Sequence, residues 1–194
     1  MAKLSGEQRT AAELAVLIYE TVLENLKNGG RPVMARALEP DENYFSDDPE
    51  KMSSPMIKKF LGSFEAAGRK LDLWLCSEIN WYAPGKIYVG LKADSMDEAP
   101  LDFSGELRDV LQQFQGEAQQ EPVDGWICWR YITVNGDSTV NSGSGAVPHF
   151  KVANDALRQL AGSEKTLKKF ILTLLEVWNR FDEQAQSLLK TLKK

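Results

Sequence analysis

Few residues here are equipped for nucleophilic or metal chemistry. The chain has one histidine, His149, and two cysteines, Cys76 and Cys128. A serine or cysteine nucleophile needs a histidine in reach and an acid to orient it. His149 follows Pro148 in a Ser/Gly-rich stretch with no nucleophile elbow nearby, so we read it as a polar loop residue. Cys76, Cys128 and His149 lack the spacing of a zinc site. The cysteines fall in strand-like runs and read as small packed hydrophobes. Neither G-x-x-x-x-G-K-[ST] nor a strand-linked G-x-G-x-x-G occurs. No catalytic residue, metal or cofactor is expected.

Carboxylates are plentiful, and one arrangement has a chemical reading. Asp72 and Glu78 are separated by an even number of residues in an alternating run, so they share a strand face. Lys86 and Lys92 lie on the next run. Acids on a hairpin near a lysine suit a metal-dependent hydrolase or nuclease, or a small-ligand site, although any half-solvated strand pair shows such a pattern. The Gly/Ser-rich segment Asn135–Ala146 would then be a lid. Its small residues and free amides also suggest an anion nest. It holds no lysine and its single charge is Asp137, so the plainer reading is a flexible solvated loop. The acids between Glu39 and Glu50 lack EF-hand spacing and a central glycine, and read as a solvated loop.

The aromatic residues are more suggestive. Trp74 and Tyr82 share the polar face of the first alternating run, and Tyr88 takes the matching face of the next. Trp126 and Trp129 are an odd number apart and so fall on opposite faces of an unbulged strand. Either helices cover both faces of the sheet, or one face is an aromatic platform. Trp and Tyr are common anchors of binding sites. Trp74, Tyr82, Tyr88 and Trp129 are therefore candidate partner-binding residues. Trp178 and Phe181 join them from the C-terminal helix.

The elements that position these groups can be read from periodicity. Ser5 and Gln8 form a capping box before a helix with Leu14, Leu17, Ile18, Val22 and Leu26 on one face. Ser54-Pro55 opens a second expected helix, with Met56, Ile57, Phe60, Leu61 and Phe64 inward and Gly68 as its stop. A third runs from Asp102 to Gly116 and a short fourth from Asn154 to Ala161. The fifth, residues 163–192, has Leu167, Leu174, Phe181 and Leu188 on one heptad series and Ile171, Trp178, Ala185 and Leu192 on another. It would be about 45 Å long, either a spine across the domain or an interaction arm. Strands are expected at Leu71–Trp81, Ile87–Leu91 and Trp126–Val134, with weaker signals at Val33–Leu38 and Val147–Val152. The expected fold is α+β: one domain, a mostly antiparallel sheet of three to four strands, and about five helices.

Charge narrows the partners. The chain has 194 residues, is 43% hydrophobic and 26% charged, and carries a net charge of −5. From Ala93 to Asp124 there are nine acids and one base, a net of −8. From Lys151 to Lys194 there are nine bases and five acids, a net of +4. The acidic balance argues against a nucleic-acid partner. No apolar run is long enough to span a bilayer and the N-terminus does not read as a signal, so a cytoplasmic protein is expected. The leading expectation is a non-catalytic protein-binding or assembly module, engaging a protein partner or a second copy of itself. The alternatives are the acid site at Asp72, Glu78 and Lys86, and an acidic inhibitor that occupies a basic partner through Ala93–Asp124.

Overall fold

Alternating apolar and polar residues between 69 and 95 build the centre of the fold. The computed structural model describes residues 6–30, 33–35, 56–66, 68–79, 85–95, 125–151 and 153–192. Strands β3 (Arg69–Ile79) and β4 (Ile87–Ser95) pair antiparallel, with Leu71 opposite Ser95 and Ile79 opposite Ile87. β2 (Met56–Ala66) lies beside β3, and β5 (Trp126–Ile132) lies beside β4. Two-residue strands, β1 (Met34–Ala35) and β6 (Ser138–Thr139), pair with the ends of β2 and β5. The strand order is β1-β2-β3-β4-β5-β6, an antiparallel meander.

The period of two places Leu71, Leu73, Leu75, Ser77 and Ile79 on one face of β3, all buried. Ile87, Val89, Leu91 and Ala93 continue that face on β4. Helices α1 (Gly6–Asn28), α2 (Asp155–Ala161) and α3 (Glu164–Leu192) cover it. α3 supplies Phe170, Leu174, Trp178, Phe181, Ala185 and Leu188, and α1 supplies Leu14, Ile18, Val22 and Leu26. The hydroxyls of Tyr19 on α1 and Ser77 on β3 lie 3.3 Å apart in a buried hydrogen bond, so the polar atoms that interrupt this layer satisfy each other. Asn154 caps α2 by accepting from Leu157 N–H at 2.9 Å, and Ser163 caps α3 by accepting from Thr166 N–H at 3.2 Å.

The expected architecture needs correction on both counts. The sheet has six strands rather than three to four, and the described residues form three helices rather than about five. The segment expected as a second helix is β2. Phe60 pairs with Trp74 but Gly62 pairs with Leu73, so Leu61 is an extra residue in a β-bulge. The bulge shifts the alternation by one, and Ile57 and Phe64, seven apart, both turn inward. Seven residues is two helical turns, so a bulged strand imitates a helix in its spacing. Gly62 sits at φ +147, and a Cβ there would lie 3.1 Å from Leu189, so the bulge fits against α3. β1 falls within the weaker strand signal at Val33–Leu38, and β6 is too short to show a period. Val147–Lys151 is irregular chain with bends instead of the edge strand expected there, and Val152 lies outside the described residues. The helix expected from Asp102 to Gly116 also lies outside them. No helix among the described residues is long and apolar enough to cross a membrane.

Candidate functional site

The second face of the sheet carries the other half of each alternation: Asp72, Trp74, Cys76 and Glu78 on β3, and Tyr88, Gly90 and Lys92 on β4. All three described helices lie on the opposite face, so this one is outer with respect to them. A second bulge organises its aromatic side chains. Leu91 pairs with Cys128 but Lys92 pairs with Trp126, so β5 also carries an extra residue. That shift brings Trp126 onto the same face as Trp129, which pairs with Gly90, and Tyr131, which pairs with Tyr88. The expectation that Trp126 and Trp129 face opposite ways holds only for an unbulged strand.

Gly90 makes the arrangement possible. A Cβ at this position would meet the Cys128 carbonyl at 2.3 Å, Trp129 Cβ at 2.9 Å and Trp126 Cζ3 at 3.1 Å. The absent side chain lets Trp126 lean across β4 to the Tyr88 ring, with centroids 4.9 Å apart and planes at 65°. Tyr88 also meets Tyr131 at 5.8 Å. Val147, on the segment after β6, packs into this cluster. The more exposed part of the face lies toward β1. Phe60 and Trp74 are 5.1 Å apart. The Lys58 ammonium stands 4.6 Å from the centre of the Trp74 ring, a cation–π contact. Met34 pairs with Lys58 and shares its face. Met34 is 50% exposed and Phe60 is 47% exposed.

Cys76 lies in the middle, between these groups, and is buried. Burial, followed by the charge of Glu78, pushes its thiol up to about 12, so it is a poor nucleophile at neutral pH. Tyr88 donates its hydroxyl to Glu78, and burial together with Glu78 raises its pKa well above the usual tyrosine range. That hydroxyl remains a proton donor in the fold and is unsuited to act as a base.

The structure separates the candidates of the acid site. Asp72 and Glu78 are six residues apart on one strand, about 20 Å. Asp72 accepts from Ser63 Oγ at 2.6 Å, and Glu78 is held by Tyr88. Lys86 is buried and donates to the Ser142 carbonyl; burial lowers its pKa. No group of three or more His, Cys, Asp or Glu suited to a metal occurs among the described residues. The Gly/Ser-rich segment is held by cations at its carbonyls. Lys86 donates to Ser142, Arg130 Nη2 to Ser138 O at 2.7 Å, and Lys169 to Asn135. An anion nest would instead direct amides into a common concavity.

Of the sequence candidates, Trp74, Tyr88 and Trp129 share the outer face. Trp178 and Phe181 do not: both are fully buried between α3 and the sheet, and Leu174, Ala185 and Leu188 of the heptad series are buried with them, while Leu167 and Ile171 are partly buried. Tyr82 lies outside the described residues, as does most of Ala93–Asp124. Met34, Lys58, Phe60, Trp126 and Tyr131 were not identified from sequence as parts of one face. Gly90 carried a usable signal, because an interior glycine in an alternating strand marks a bulge or a close approach. The fold and face define a class: an α+β meander with helices on one side and an aromatic surface on the other. No family model, curated protein or solved structure matches the chain.

Proposed function

We propose that the protein is a non-catalytic protein-binding module acting through the outer face of its sheet. One observation carries this reading. The face gathers Phe60, Trp74, Trp126 and Trp129 with two tyrosines, none of the described helices covers it, and Phe60 and Met34 stand about half exposed at one corner. Rigid aromatic rings lose little conformational freedom on binding and bury large areas, so they suit contact with another protein. Asp72 and Glu78 stand about 20 Å apart along β3, and Lys86 donates to the Ser142 carbonyl, so the acid-site reading draws no support from this arrangement. The central residues of the α3 seam, Leu174, Trp178, Phe181, Ala185 and Leu188, are already buried inside the molecule, which favours the sheet face over the helix.

Site-specific photo-crosslinking in the source cell tests this. A benzophenone side chain is placed at Phe60 or Trp129 on the sheet face, and at Leu17 or Leu172 on the helical side. Leu17 and Leu172 are exposed to a similar degree as Phe60, so exposure alone does not favour the sheet. Discrete adducts from the sheet positions and none from the helices are expected. Adducts only from the helical positions, or none from Phe60 and Trp129, overturn the reading. Light scattering on the purified chain identifies a second copy as the partner if the mass doubles and Phe60→Ser restores the monomer.

A further inference from the structure

We draw no further inference here: the strongest candidate, the open corner of the outer sheet face at Met34, Phe60 and Trp74, is an apolar patch among charges of both signs, Lys58 and Lys92 against Asp72, Glu78 and Asp94, and nothing in the structure shows what covers it.

Discussion

One backbone carries two faces of opposite design. The inner face of β3 and β4 is aliphatic, with Leu71, Leu73, Leu75, Val89 and Leu91 nearly devoid of solvent contact beneath the three helices. On the outer face of the same strands stand Trp74, Tyr88 and Lys92, with Cys76 and Gly90 between them. Branched aliphatic side chains interlock at high density with helical ridges, which favours a permanent interior. Aromatic rings and long lysine stems make a surface that is apolar in area yet tolerates water at its polar tips. Strand alternation can produce either, so the difference lies in residue type and in what sits against each face. The inner layer is where a substitution should cost stability; the outer corner is where it should cost binding.

The largest expected effect is at Trp178, which is fully buried. Trp178→Ala should lose about 3–5 kcal/mol by removing a large core side chain and leaving a cavity. Phe60→Ser, at an open position, should change stability by less than about 0.5 kcal/mol. Urea unfolding of the two variants side by side breaks the comparison if their costs are similar.

Gly90, on the outer face, comes next. Gly90→Ala puts a methyl into the Cys128 carbonyl and between Trp126 and Trp129. Backbone at 2.3 Å cannot yield cheaply, so a loss of about 2 kcal/mol is expected. The Trp126–Tyr88 contact should open at the same time, which near-ultraviolet circular dichroism reads. Unchanged stability and spectrum would show that the aromatic cluster does not depend on the missing side chain.

Lys59 sharpens the contrast from within β2. It turns toward the helices while its neighbour Lys58 turns outward. Lys59 Nζ donates to Asp182 at 3.0 and 2.8 Å, and both side chains are largely buried. Breaking one partner leaves the other charged and poorly solvated. Lys59→Met should therefore cost about 2 kcal/mol, and Lys59→Met with Asp182→Leu should recover much of that loss. Lys58→Met should leave stability nearly unchanged. Thermal melts of these variants separate two adjacent lysines by the face they occupy.

The sequence made the long C-terminal helix, the short helix before it and the β3–β4 pair legible, because each keeps one period over its length. The bulges were hidden. Leu61 and the extra residue of β5 each shift the alternation by one, which turned β2 into an apparent helix and placed Trp126 and Trp129 on opposite faces. Periodicity is a local signal, whereas a bulge is defined by the partner strand. The candidate site suffered in the same way: Trp74, Tyr88 and Trp129 were legible, but the corner of Met34, Phe60 and Lys58 depends on pairing. Trp178 and Phe181 fail for a different reason. A heptad seam marks a buried stripe without saying whether the chain itself or a partner buries it.

The smallest expected effect concerns the segment that touches both faces. Val147 packs on the outer aromatic cluster while Phe150, three residues on, is in the inner core. His149 lies between them, and its backbone N–H donates to Asn154 Oδ1 at 3.1 Å. Burial, then the charge of Lys86, lowers the pKa of its imidazole below the ordinary 6.5. A lowered value means that the unfolded chain binds more protons than the folded one in the window beneath pH 6.5. Stability therefore rises with pH through that window and falls as the solution is acidified toward the folded pKa. His149→Gln removes this contribution, so its urea midpoint should decline less between pH 6.5 and 5 than that of the parent. Equal declines would show that carboxylates alone set the acid sensitivity.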